Sequence, residues 1–377
     1  MLFPRKIILS GFFVAAIAIL FLFTNQMARA QSAEDLSDSY YRARVVKILE
    51  TGEKEVEEGQ ILKYQKIELE ILNGDEKGKR VNIDHGGSFV VAENQMVKEG
   101  EKVVLAKTPA LPGGRSVYYV IDKYRVDRLL AIVVSFFALA IYFGRKRGFT
   151  AIVGLLFSVL VIFYYIIPSI LKGGDPFLTC VLGAVAILIL SLYLSHGFNK
   201  RTSIALLSSF IALGFAIVID LVFVHLAKLS GNGTEEAFYL QFGSFNLNLQ
   251  GLLLGGIIIG VLGVLDDITT AQTAAIEEIS IANSQLTFKQ LYNSGLSIGR
   301  EHIASLVNTL VLAYVGVSFP FLILYVSQKT QAFWMTFNSA FVAEELVRTL
   351  VGSATLVLAV PITTLLAAWF YSRKKSL

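Results

Sequence analysis

The chain has 377 residues, of which 54% are hydrophobic and only 16% charged. A mean hydropathy of +0.62 is too high for one soluble core and points to a polytopic membrane protein. The net charge of +4 comes from short Lys/Arg runs beside apolar segments, so it excludes a nucleic-acid-binding face, and the single cysteine, Cys180, excludes an intrachain disulfide or a Cys-based metal motif.

The N-terminus carries Arg5-Lys6, an apolar run from Ile7 to Thr24, and Ala28-Arg-Ala30, which has the form of a signal-peptidase site. The run is long for a signal and close to the roughly 20 residues of a spanning helix, so an uncleaved anchor and a cleaved signal both stay open. Either way, residues 31 onward are expected outside the cytoplasm.

Residues 36 to 123, within an extracytoplasmic domain expected at 31 to 124, change character. Lys66-Ile-Glu-Leu-Glu-Ile71 alternates strictly, as a half-buried strand does. Asn73-Gly74 follows, a dipeptide favoured where a hairpin turn needs positive φ. Val81 to Ile83, Lys102 to Leu105 and Ser116 to Ile121 supply further strands, separated by Gly86-Gly87, Gly100 and Pro112-Gly-Gly114. About five strands of this size suit a small antiparallel β domain, with a partly open barrel of the OB type as the candidate topology.

From residue 125 to the C-terminus the chain reads as a multi-pass helical domain. Apolar segments recur at 128 to 144, 149 to 171, 176 to 195, 203 to 229, 247 to 268, 302 to 327 and 346 to 371: seven spans, eight with the N-terminal helix. If each crosses, Arg5-Lys6, Arg145-Lys-Arg147, Lys200-Arg201 and Arg373-Lys-Lys375 share one side, which positive charge marks as cytoplasmic. The polar stretch 269 to 299 is expected to continue as a partly interfacial helix on that side, with Gly295 near its end.

Candidate functional residues lie in the last spans. At helical spacing Gly256, Gly260, Gly263 and Asp267 stack on one face, a small-residue stripe expected to pack against a neighbouring helix. Asp266, Thr270, Thr273 and Glu277 form a second stripe about 100° around. Two carboxylates at a true helix end would meet the negative end of the helix dipole, so the helix is expected to run on past them. The bland alternative is that the pair simply meets water at the membrane edge. Asp220 within its span, Gln272, and Glu345 and Arg348 at the start of the last span complete the candidate ion or proton site, and Gly352 continues a small-polar face there. Glu344 is spaced to pair with Arg348. Ser305 and Asn308 share a face with Glu301 and are expected to hydrogen-bond between helices.

Two stretches, "GVLDDITTAQ" from Gly263 to Gln272 and "AEELVRTLVGSATLVLAVPITTLLAA" from Ala343 to Ala368, together resemble the YibE/F-like family of bacterial polytopic membrane proteins over about residues 125 to 370. The resemblance implies a bacterial plasma-membrane protein and carries over no substrate or catalytic residue. The residues themselves favour a transporter or permease with a cation- or proton-linked acidic site, the paired carboxylates binding a hard cation or sharing a proton. The rival is a structural or regulatory scaffold that binds a protein partner through its outer β domain. No Walker A run supports direct ATP driving by this chain. A membrane enzyme is the weakest reading: there is no H-E-x-x-H and no G-x-S-x-G, and His85, His196, His225 and His302 are dispersed. No cofactor and no nucleic acid are expected; membrane lipid is the expected environment.

Overall fold

A computed structural model describes residues 39–56, 60–86, 91, 93–108, 116–242, 247–327 and 333–372. The N-terminal apolar run and Pro112-Gly-Gly114 lie outside them. The chain divides into two units, Met1–Val134 and Ser135–Leu377.

The first unit is an antiparallel half-barrel in the order β3-β2-β1-β4-β5, made of β1 (Ser39–Val56), β2 (Gln60–Ile71), β3 (Arg80–His85), β4 (Lys102–Lys107) and β5 (Tyr118–Lys123). Alternation sets the inner face: Ile67, Leu69 and Ile71 of β2 are fully buried, opposite Ala43 and Val45 of β1 and Val81 and Ile83 of β3. The long β1, which pairs with β2 on one side and β4 on the other, has no counterpart among the strands expected from the sequence. Asn73-Gly74 does open the β2–β3 hairpin, but as the start of a wider turn with positive φ at both Gly74 and Gly78. Asn73 Oδ1 accepts from the Arg42 amide at 2.5 Å and ties that turn to β1.

In the same turn, the Glu76 carboxylate accepts from Tyr118 OH at 2.6 Å, Lys107 Nζ at 2.9 Å and Lys79 Nζ at 3.2 Å. These donors, Tyr118 foremost, hold the carboxyl well below its ordinary 4.5, at about 2. A depressed carboxyl adds stability above its unfolded value and loses it as pH falls toward the folded one. Burial likewise pushes the His85 ring below its ordinary 6.5, so its contribution is present above that pH and lost below it. The unit, expressed as residues 31 to 124, is expected to fold alone and to lose stability first as pH falls through 6.5 and again between 4.5 and 2. Glu76→Gln should lower its stability at neutral pH by about 1–2 kcal/mol, given solvent screening, and flatten the lower step. Thermal melts across pH check both, and a chain without a cooperative melt would refute independent folding.

The second unit is helical: α1 (Val126–Val161, which begins in the first unit), a π turn (Ile162–Ile166), α2 (Ile167–Leu171), α3 (Pro176–His196), α4 (Lys200–Leu226), α5 (Glu235–Phe242), α6 (Leu249–Ala282), α7 (Phe288–Val317), α8 (Phe319–Ser327), α9 (Phe333–Phe337) and α10 (Ala340–Ser372). Caps mark the starts of the central helices. Asp175 accepts from Leu178 N, Asn199 from Thr202 N, Asn248 from Gly251 N, and Thr287 forms a reciprocal capping box with Gln290.

Among the described residues, five helices are long and apolar enough to cross a membrane: Val126–Leu171, Pro176–His196, Lys200–Leu226, Leu249–Ala282 and Ala340–Ser372. This differs from the seven spans expected after residue 125, for two physical reasons. The run Val126–Leu171 has 46 residues, about 69 Å at 1.5 Å per residue, but is broken at Arg145, where φ is 51° and ψ −127°. The expected 302 to 327 span is divided between α7 and α8 at Ser318. The stretch 269 to 299 also differs: α6 runs to Ala282, the chain turns at Asn283–Thr287, and Gly295 lies inside α7.

Candidate functional site

The helical unit is built on α4, α6 and α10, with α3 and α7 packed alongside. Arg201 Nη1 lies 3.5 Å from Glu277 Oε2, and Ser209 Oγ lies 2.8 Å from Thr269 Oγ1, so α4 and α6 run antiparallel. Gln272 Nε2 donates to Thr364 Oγ1 at 2.9 Å and to the Gly295 carbonyl at 2.7 Å, fastening α6 to α10 and α7. Between these helices Ser208, Ser209, Thr269, Gln272, Thr273, Thr355, Thr363 and Thr364 are all fully buried. Most of the hydroxyls donate back to the carbonyl four residues earlier, as Ser208 does to Ile204 and Thr355 to Val351, which satisfies them in an apolar setting.

The acidic pair does not sit at a helix end: α6 continues for four turns past Asp267. The two carboxylates diverge. Asp266 is half-buried against α3, where Ser191 Oγ donates to Oδ2 at 3.2 Å, while Oδ1 has no partner among the described residues. Asp267 is exposed and opens onto a cavity of about 460 Å³. That cavity is lined by Arg147 of α1, His196 of α3, Arg201 and Thr202 of α4, Thr270 of α6, and His302 and Ser305 of α7. Thr270 Oγ1 is committed to the Asp266 and Asp267 carbonyls at 2.8 and 3.3 Å. A hard cation shared by Asp266 and Asp267 would require their oxygens to converge. Here they point at different neighbours, and no group of three or more His, Cys, Asp or Glu among the described residues is placed to hold a metal.

The other expected site residues lie elsewhere. Gln272 is a fastening residue on the packed face of α6. Asp220 is fully buried in α4, and neither of its oxygens has a partner among the described residues. Arg348 pairs with Glu345 at 2.9 Å near the start of α10, sixteen residues from Thr364 and therefore about 24 Å along the helix. Glu344 does not pair with Arg348 as the spacing suggested, because it is buried and accepts from the Gly233 amide at 3.0 Å. Glu301 and Asn308 are exposed, and Ser305 faces the cavity rather than another helix.

The glycine stripe is corrected as well. Gly256, Gly260 and Gly263 lie on an exposed face of α6; a Cβ on Gly256 or Gly263 would meet nothing within 4 Å, and one on Gly260 only Tyr314 OH at 3.8 Å. The packed face is one residue out of phase: Gly255, Ile258, Leu262, Leu265, Thr269, Gln272 and Ile276, spaced by three and four, are all buried. Gly255 makes the close approach, since a Cβ there would lie 2.6 Å from Cys180 Sγ. Gly352 is buried but borders open space.

Arg147, His196, Arg201 and His302 were not among the residues singled out from the sequence as a site. Arg147 and Arg201 did stand in the basic clusters from which a cytoplasmic side was expected, and that was the available signal.

Comparison with known families gives two matches. The model described as YibE/F-like protein matches residues 132–373, and the one described as YibE/F family N-terminal domain matches residues 39–116. No curated protein and no solved structure matches.

Proposed function

Since the chain belongs to the YibE/F-like family, whose two models cover both the β unit and the helices, we propose that this membrane protein is a permease-like transporter whose cavity at Asp267 receives a small polar solute. The observation that carries the reading is the convergence of polar side chains of both signs, from five helices, on one cavity beside a fully helical α6. Charged groups at the level of spanning helices are costly and commonly mark substrate or ion paths.

The proposed topology keeps seven crossings after residue 125: two from the broken run Val126–Leu171, one each from α3, α4, α6 and α10, and one from α7 with α8. The basic clusters at Arg145-Lys-Arg147 and Lys200-Arg201 then lie on the cytoplasmic side of a bacterial plasma membrane, and the cavity opens there. The β unit sits on the opposite side as an outer module.

The test is uptake by a null strain complemented with each variant, screened over a panel of solutes and normalised to protein in the membrane. Asp267→Asn and Arg147→Gln each remove a charge-assisted contact, worth about 1.5–3 kcal/mol, and should cut uptake about 10- to 100-fold. Glu301→Gln, on an exposed position outside the cavity lining, should not. Full uptake by the double variant Asp267→Asn/Arg147→Gln would remove the transport reading and leave a scaffold that works through its β unit. A reporter fused after Leu377 should be active only in the cytoplasm.

A further inference from the structure

Asp220 is used by neither the cavity nor the fastening contacts, yet it is the most completely enclosed carboxyl in the helical unit. It is 0% exposed, and both of its oxygens are without a hydrogen-bond partner among the described residues. Its height in the bundle follows from the Ser209–Thr269 and Gln272–Thr364 contacts. Eleven residues beyond Ser209, about 16 Å, place it level with Ile258 on α6 and Leu350 on α10. From Leu254 to Leu262, α6 carries only apolar side chains and glycine. On α10 the hydroxyls of Thr349 and Thr355 are committed to the carbonyls of Glu345 and Val351, and Ser353 Oγ makes no bond among the described residues. Of the charged groups nearest in height, Arg348 pairs through Nη1 with Glu345, its Nε making no bond among the described residues, and Glu344 accepts from the Gly233 amide. From Phe177 to Ser195, α3 carries Cys180 and Tyr193 as its titratable groups, with hydroxyls at Thr179, Ser191 and Ser195, of which Ser191 donates to Asp266, and His225 of α4 itself is exposed on another face.

A carboxylate so placed makes no hydrogen bond or ion pair among the described residues that would compensate for its lost hydration. A metal ion is no remedy, because calcium needs six to eight oxygen ligands, magnesium about six, and the surroundings supply one carboxyl. We propose that Asp220 is a proton-binding site of the helical unit: it holds one proton while α4, α6 and α10 are closed around it and yields that proton only when this packing opens. The shorter way out is toward Leu226, six residues or about 9 Å along α4. There the Leu229–Gly233 loop covers the end of the bundle, held by Gln250 Nε2 on the Leu229 carbonyl at 2.8 Å and by Glu344 on the Gly233 amide. Lifting that loop is the step that exposes Asp220. The site stands whether or not the cavity carries a solute, and its test is therefore separate.

The test uses the full chain in lipid vesicles at neutral pH. Infrared spectra of the wild type minus Asp220→Asn should contain the carbonyl stretch of a protonated carboxylic acid, shifted in heavy water. The near-isosteric amide should leave melting unchanged or raise it. Absence of that band, with Asp220→Asn folded, would mean that Asp220 is ionised and would overturn the proposal. If Asp220→Asn does not fold, wild-type vesicles treated with a lipid-soluble carbodiimide decide the matter. A modified Asp220 in the peptide map supports the proposal, and an unmodified one refutes it.

Discussion

Gly255→Leu is expected to prevent the helical unit from accumulating, whereas Gly256→Leu, one residue along, should be tolerated. A side chain at Gly255 must enter space already held by Cys180, whose Sγ and Cβ would stand 2.6 and 2.8 Å from the new Cβ, with the Pro176 carbonyl at 3.1 Å. A bulky chain cannot be accommodated by one rotamer change there, because backbone lies behind the thiol. Overpacking costs about 1–3 kcal/mol where neighbours can move and more where they cannot. At Gly256 nothing stands within 4 Å, so the same side chain meets no obstacle and replaces a poor helix former, a gain of about 0.5–1 kcal/mol. Membrane-fraction yield and melting temperature in detergent check the pair. Equal damage at both positions would mean that the exposed face of α6 is in fact a packed one.

The second large effect is expected at Gly148. The chain breaks its helix at Arg145 and brings the next turn so close to the preceding one that a Cβ on Gly148 would lie 2.0 Å from the Ala140 carbonyl oxygen and 2.8 Å from its carbon. Both obstacles are backbone, which cannot rotate away. Gly148→Val should therefore open the break and change how residues 126 to 171 sit in the membrane. Arg145→Gly should be neutral or stabilising by about 1 kcal/mol, since a non-glycine residue at φ 51° is strained. Cysteine accessibility at positions flanking the break, measured in whole cells, reads the change directly. Unchanged accessibility in Gly148→Val would argue that the run crosses as a continuous helix.

How far the sequence carried this structure depended on the range of the signal. The alternation of Lys66 to Ile71 marks β2 without ambiguity, because its period of two is local. β1 gives no such mark, because its inner face is partly built of the small Ala43 and the amphipathic Tyr41, and its length is set by two partners. Hydropathy located the apolar helices, but the phase of α6 hinged on a choice between Gly255 and Gly256 that only the position of Cys180 on α3 decides. The Asn283–Thr287 turn did have a local signature in Thr287 and Gln290, a capping box inside a stretch taken as one helix. Of the candidate site residues, the structure brings Asp267 and Thr270 to the cavity and disperses the rest. Arg147, His196, Arg201 and His302 reach it from four different helices, and no spacing along the chain encodes such a meeting.

The fastening contacts have a mechanical consequence. Thr150 on the Ser195 carbonyl, Ser191 on Asp266, Tyr193 with Ser203, Arg201 with Glu277, Ser209 with Thr269 and Gln272 on Thr364 all gather in the half of the bundle that holds the cavity. In the other half, α6 and α10 are tied to the chain leaving α4 through the Leu229–Gly233 loop, and between loop and seam the described helices meet on the apolar side chains of the core. Lipid tails compete with such contacts on nearly equal terms. Any splaying of α4, α6 and α10 would therefore turn about the Ser209–Thr269 level, with a lever arm from there to Leu226 of seventeen residues, about 25 Å.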